Sequence, residues 1–348
     1  MMRGGLGVKK KLQGIFIVMC FCVLSSFSGC SSEEATTWED SKDTIYKIGN
    51  TEVNYSEVWI YTNTVKQGYE SIYGTGIWNI EVGTDDNKQT IEEVTREDII
   101  DTITRTKILV DKAPEYEITL SGEEKEKVNQ QAKEFFDHLT DEDISECGAS
   151  IELAIKVFEE NAIADKVYAK ILKDNTYEVS EEDARMTTVY DLIFETYSLD
   201  GDGNPVPFSD EAAKTRLDDA NAAFERLVTE ENVVIEDIVS QYSLKYAGEH
   251  TLSYDDMEQE YGEKACSVIY SLEDGECSQV IKTDYGYHII KMIASTDEKA
   301  TDENRKKLNK VNEKKYFNEI YDKWKKDAMG SFDYDKDINQ EVYNRITF

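Results

Sequence analysis

The run Ser271-Leu-Glu-Asp-Gly275-Glu-Cys-Ser278-Gln-Val-Ile-Lys-Thr283-Asp-Tyr-Gly286-Tyr-His288-Ile-Ile-Lys291 decides the fold of the region around it. Gly275 within an acidic stretch marks a turn, and Cys277 to Lys282 and Tyr287 to Ile293 are short apolar, β-branched stretches that read as strands. Thr283 to Gly286 is the polar connection between them. Working backwards, Met186 to Phe194 reads as another strand, and Glu195 to Asp210, which holds Pro205 and Pro207, as a loop. Helices are expected at Glu211–Thr229, Ile235–Tyr242 and Met257–Tyr270. The order β-α-α-(β)-α-β-β describes an α+β unit of about 110 residues, an ordinary domain size.

Upstream the texture differs. Thr44 to Val53 reads as two short strands about the Gly49-Asn50 turn. From near Ser56 to about residue 178 the pattern is helical, with start signals Thr95-x-x-Asp98 and Ser121-x-x-Glu124, apolar spacing such as Ile151, Ala154, Val157, Phe158, Ala162, and Pro114 separating two helices. Downstream, Lys299 to Lys326 is a basic helix whose Leu308, Val311, Phe317, Ile320, Tyr321 and Trp324 share roughly one face. It is expected to pack back on the acidic amino-terminal helices, with a membrane-surface helix as the alternative. Val342 to Phe348 reads as a short strand.

Lys plus Arg number 39 against 72 Asp plus Glu, a formal charge of -33, which repels a phosphate backbone and excludes nucleic-acid binding. Charged residues make up 32% and the hydrophobic set 40%, enough for a core rather than a disordered chain. With only His138, His250 and His288, a polyhistidine metal centre cannot be built. Residues 1 to 29 carry Arg3 and Lys9 to Lys11, then an apolar run from Leu12 to Phe27, and no acid, which is the pattern of a secretory signal. That run is short beside the ~20 residues of a bilayer span. It ends in Phe27-Ser28-Gly29-Cys30, which resembles a bacterial lipobox with Phe in place of the usual Leu; the resemblance implies lipidation at Cys30. The alternative is an uncleaved signal anchor in which Cys30 is a bystander. An acidic tether follows, with the presequence at 1–29 and the tether at 30–43. Of the cysteines beyond it, Cys266 and Cys277 sit at apolar positions and read as free thiols rather than a bridge.

The stretch from Ser271 to Lys291 resembles the carboxy-terminal signature of parvulin-type peptidyl-prolyl isomerases: a Leu-x-x-Gly-Glu-x-Ser turn, then Thr-x-x-Gly-Tyr-His-Ile-Ile. Ile238 to Ser243 resembles the family's second-helix ending, and Met257 with Tyr261 its Met-x-x-x-aromatic pair. The hairpin, the helical region and the returning helix resemble extracytoplasmic foldases of the PrsA/SurA kind. The resemblance implies an α+β architecture: a mostly helical amino-terminal chaperone-like domain at 44–180, closed by the carboxy-terminal helix and tail at 297–348, with a parvulin-like domain of four antiparallel strands and helices inserted at 184–296.

Rotation about a peptide bond meets a barrier of ~18–20 kcal/mol because resonance is broken, and uncatalysed X-Pro exchange takes tens of seconds or more. A site that binds the twisted amide better than either planar form lowers that barrier without nucleophile, metal or cofactor. Met257 and Tyr261, one helical turn apart, with Leu252, are the expected substrate-binding walls; the alternative reading of the Met/Tyr pair is ordinary core. The resemblance places His288 and Thr283 in a hydrogen-bond network beneath the reacting amide. The family's second histidine, on the first strand, is absent: Asp191 stands there, or Tyr190 if the register slips by one. Asp191, Thr283 and His288 are the catalytic candidates. His250 is expected to be exposed. The Glu195–Asp210 loop has no Lys or Arg, which speaks against phospho-Ser/Thr-Pro specificity. Its Asp200-Gly-Asp202-Gly-Asn204, with Glu211, partly matches a calcium loop, but Pro205 takes the turn position where Gly is needed, and a plain acidic turn with no metal is expected.

Two functions compete. One is a membrane-anchored isomerase acting on X-Pro bonds of exported polypeptides at the outer face of a bacterial cell membrane. The other is a non-catalytic holdase for unfolded clients, with a degenerate parvulin domain. A solute-binding lipoprotein is disfavoured because no βαβ alternation appears. The sequence leaves both a one-chain and a homodimeric cradle open.

Overall fold

The computed structural model describes residues 43–84, 87–175 and 178–348. The expected signal sequence, Cys30 and the tether up to residue 42 lie outside the described residues. The described chain is α+β and falls into two compact units, 43–175 with Lys315–Phe348, and 178–314.

In the first unit, β1 (Thr44–Ile48) and β2 (Thr51–Asn54) form an antiparallel hairpin around Gly49, whose φ of 57° is open to glycine at little steric cost. Asn54 caps α1 (Tyr55–Tyr73) by accepting from the Glu57 N–H. The two-residue pair β3 (Glu81–Val82) and β4 (Gln89–Thr90) leads into α2 (Ile91–Lys112). This helix starts a turn earlier than expected. Thr90 and Glu93 form its capping box, and Thr95 is buried inside it. Pro114 sits in a 3-10 turn (Ala113–Tyr116) before α3 (Gly122–Asp137), which Ser121 and Glu124 cap as their spacing predicts. α4 (Asp141–Cys147) and α5 (Ile151–Asp174) complete the helical set. Their apolar faces close over Val58, Ile60, Ile99, Ile103, Val157 and Phe158.

A buried charge cluster joins α1, α2 and α5: the Lys107 ammonium lies 2.5 Å from Glu57 and 2.5 Å from Glu160. Burial raises the pKa of Glu57. Burial alone would lower that of Lys107, but the two carboxylates outweigh it and raise it. Lys107→Ala leaves the buried Glu57 without its cation, while Glu160 keeps Lys156, and is expected to cost about 3–5 kcal/mol in urea unfolding. A lysine whose folded pKa exceeds its unfolded value stabilises fully below about pH 10 and loses that contribution as pH rises through the folded value. Melting temperatures followed from pH 8 to 11 should therefore fall more steeply for the parent than for Lys107→Ala.

The second unit opens with α6 (Glu181–Ala184) and β5 (Thr187–Glu195). The segment expected as a plain loop contains a small hairpin, β6 (Tyr197–Leu199) with β7 (Pro205–Pro207). Its turn is closed by the Asp200 carboxylate, which accepts from the N–H groups of Asp202 and Asn204. α7 (Asp210–Thr229), α8 (Ile235–Tyr242) and β8 (Gly248–Leu252) follow. The expected helix from Met257 to Tyr270 is two helices, α9 (Tyr254–Tyr261) and α10 (Glu263–Ile269), because Gly262 adopts φ 85° between them. The strand expected over Cys277 to Lys282 shrinks to β9 (Ile281–Lys282), with an isolated bridge from Cys277 to Lys291, and the unit's last strand is β10 (Gly286–Ala294).

The sheet is antiparallel throughout, in the order β8-β5-β10-β9. Because side chains alternate between faces, Val189, Asp191, His288, Ile290 and Met292 share one face. That face carries α9 and α10, with Met257, Tyr261, Cys266 and Ile269. Leu192, Phe194 and Ile289 share the other, beneath Ala220, Ala223 and Ile238 of α7 and α8. At the end of β10 nearest β9, Gly286 has φ 153°, and a Cβ there would press on the Phe194 carbonyl oxygen. Gly286→Ala is expected to cost about 1–3 kcal/mol, seen as a lowered urea midpoint with an unchanged slope.

α11 (Glu298–Met329) runs from the second unit into the first at residue 315. In the first unit Phe317 is buried against Leu109, Val167 and Ile171, with Ile320, Tyr321 and Trp324 around it. Val311, expected on the same apolar face, is instead 54% exposed. α12 (Tyr334–Asp337) and α13 (Gln340–Tyr343) end the chain, so the closing segment is not the expected strand. Arg96 draws it in by donating to the carbonyls of Tyr343 and Ile346. Among the described residues no helix is long and apolar enough to cross a membrane.

Candidate active site

His288 lies on β10 directly opposite Ile193 of β5 and Ile281 of β9. Asp191, two residues before Ile193, points to the same face, and its Oδ2 and Oδ1 lie 2.8 and 3.1 Å from His288 Nδ1. Tyr190, the register alternative, projects to the opposite face, where it joins the α7–α8 core. The tight turn from Thr283 to Gly286, closed by the Thr283 N–H donating to the Gly286 carbonyl, sets Thr283 Oγ1 2.9 Å from His288 Nε2. Thr283 Oγ1 also accepts from the Tyr285 N–H.

Donor and acceptor roles follow from chemistry. A carboxylate only accepts, so Nδ1 carries a proton toward Asp191. In the neutral imidazole Nε2 then accepts from the Thr283 hydroxyl. Tyr261 closes the other end by donating its phenol to Asp191 Oδ2 at 3.3 Å, with its ring edge-on to the imidazole, centroids 5.5 Å apart. The result is an unbroken chain Thr283–His288–Asp191–Tyr261, in which Asp191 and His288 are 3% and 4% exposed. Burial, and then the Asp191 carboxylate beside it, push the Tyr261 phenol far above its ordinary pKa, so it stays a donor.

Beside this chain an open cleft of about 470 Å³ is lined by Tyr261, Gly262, Glu263, Lys264, Ala265, Ile281 and Lys282. Tyr261 and Ile281 belong both to the cleft wall and to the surroundings of His288. The structure thus brings Asp191, Thr283, His288 and Tyr261 together. It does not bring Met257 to the cleft: Met257 is fully buried between α9 and the sheet, and half-buried Leu252 packs on the same cluster. His250, expected to be exposed, is half-buried on β8 opposite Val189, and its imidazole has no hydrogen bond among the described residues. Ile281 and Ala265 are cleft residues the sequence reading missed. Ile281 had a signal, its cross-strand place opposite His288; Ala265 had none. Cys266 and Cys277 are free thiols whose pKa values burial raises, so neither offers a thiolate at neutral pH.

Residues 204–294 match the family model of the PPIC-type PPIase (rotamase) domain, a match that begins after β5. The chain is similar to the foldase protein PrsA of Caldanaerobacter subterraneus subsp. tengcongensis, 27% identical over 285 residues, 80% of each chain. It is also similar to the foldase protein PrsA of Clostridium tetani, 24% identical over 358 residues, 94% of this chain and 97% of that one. Among solved structures, a peptidylprolyl isomerase (PrsA) from Bacillus cereus aligns at TM-score 0.28 with 16% identity, covering 79% of this chain and all of that one.

Proposed function

We propose, for a chain that carries a parvulin-type peptidyl-prolyl isomerase domain and is similar to PrsA foldases, that the 184–296 region catalyses cis-trans isomerisation of X-Pro bonds in unfolded, exported polypeptides. The observation that carries this reading is the buried Thr283–His288–Asp191–Tyr261 chain at the edge of an apolar-walled cleft. A prolyl ring resting on Tyr261, Ala265 and Ile281 leaves the preceding amide over His288 and Thr283. Rotation makes and breaks no bond, so the site needs only to favour the twisted amide through fixed dipoles and a partly dry wall. Asp191 supplies the buried partner that holds His288 in one tautomer, a task open to a carboxylate as well as to a second histidine. Met257 and Leu252 support that wall from behind. On this reading Cys30 carries the lipid that tethers the chain to the outer face of the membrane, and 44–180 with 297–348 forms the client-holding part.

A second reading, a holdase, is favoured by the helical unit, where Ile72 and Tyr73 are 72% and 64% exposed near the Tyr69–Trp78 pair. Refolding of a client limited by a slow X-Pro phase separates the two. Acceleration of that phase by substoichiometric protein is the expected result. Suppressed aggregation with an unchanged slow phase leaves only the holdase.

A further inference from the structure

We propose that Tyr261 is the positioning residue of this site, its phenol holding the Asp191 carboxylate in the orientation that fixes His288, while its ring walls the cleft. This rests on the reading of the cleft as an X-Pro site and extends it, since the family pattern asks only for an aromatic ring here. Tyr261 Oη donates to the same Oδ2 that lies 2.8 Å from His288 Nδ1, so one carboxylate oxygen is pinned from two elements, the end of α9 and β10. The terminal torsion of an aspartate is soft. A buried carboxylate held by a single partner can turn about it, and the imidazole turns with it. The Tyr261 ring, edge-on to His288 at 82°, blocks the space into which the imidazole would tilt. Glu260 is the other carboxylate that acts on the phenol, and is the one alternative acceptor to test. A phenylalanine at 261 would keep the wall and the edge contact and lose only the pin.

Exchange NMR on an Ala-Pro tetrapeptide with the full chain tests this. For Tyr261→Phe, kcat is expected to fall about threefold to tenfold, the range of one hydrogen bond, with KM within about twofold of the parent. The ¹⁵N shifts of the His288 ring should move from a single Nδ1–H tautomer toward averaged values. In a His288→Ala background, where no imidazole is left to position, the same change should add nothing to the loss, and Glu260→Gln should leave kcat and the ring spectrum as they are. The proposal is overturned by a parental kcat in Tyr261→Phe, by a raised KM at constant kcat, or by additive effects with His288→Ala. Should the parent chain itself give no acceleration, the X-Pro reading fails separately. The ring spectrum then decides: unchanged in Tyr261→Phe it overturns the positioning role as well, and averaged it retains the pin without the reaction.

Discussion

Asp191→Ala is expected to destabilise the 178–314 unit by about 2–6 kcal/mol, since it strands two donors and each buried polar group left without a partner costs about 1–3 kcal/mol. The carboxylate is buried on the face under α9 and is held by His288 and Tyr261. Alanine leaves the imidazole N–H and the phenol O–H without a partner in a space too closed for free hydration. Urea unfolding followed by the NMR signals of this unit, which holds none of the 4 tryptophans of the chain, checks this, and Asp191→Asn, which keeps an acceptor oxygen, should recover at least half of the loss. Isomerase activity should fall further than stability alone explains. The Asn variant, folded at working temperature, isolates that difference, because its amide can accept from Nδ1 but brings no charge.

Met257→Ala should cost about 2–5 kcal/mol in the same assay. The thioether is fully buried among Val189, Tyr261, Cys266, Ile269, Ile290 and Met292, so truncation opens a cavity behind the Tyr261 wall. If Met257 served as an exposed pocket wall, the main effect would be a raised KM with little change in stability. From its burial, the order is the reverse: a lowered urea midpoint first, and a modest loss of kcat where Tyr261 is no longer backed. Comparing the urea midpoint with the KM–kcat split on the same preparation distinguishes the two roles.

What the sequence made legible, and what it did not, follows from the range of the interactions. The Gly49-Asn50 turn and the Ser121–Glu124 box are local, and both are formed as their residues suggest. The helix expected to start at Thr95-x-x-Asp98 instead has its capping box at Thr90 and Glu93. The choice falls to Thr90 because it ends a strand paired with Glu81, a contact across a turn that no four-residue pattern contains. Gly262 interrupts an apolar spacing that would otherwise continue from Met257 to Tyr270, and since glycine in a helix costs only about 1 kcal/mol, spacing alone cannot show the break. The closing residues from Val342 have strand-like composition, yet Arg96, far away in the chain, binds their carbonyls and keeps them out of any sheet.

The site divides in the same manner. Thr283 and His288 are five residues apart in one hairpin, and their bond could be anticipated from the turn between them. Asp191 required the strand register, and the choice against Tyr190 rests on which face of β5 meets His288. The Tyr261–Asp191 bond joins residues 70 positions apart across two elements and left no trace in the local pattern. Whether Met257 walls a pocket or fills a core depends on how closely α9 lies on the sheet, which spacing does not carry.

The most direct test of the central claim is the X-Pro exchange rate of a tetrapeptide, measured by NMR with the full chain and with His288→Ala at a temperature where both are folded. Catalytic acceleration by the parent is expected, with at least a tenfold loss in the variant, a deficit of ~1.4 kcal/mol in transition-state stabilisation. Equal acceleration by both proteins, or none by the folded parent, would contradict it.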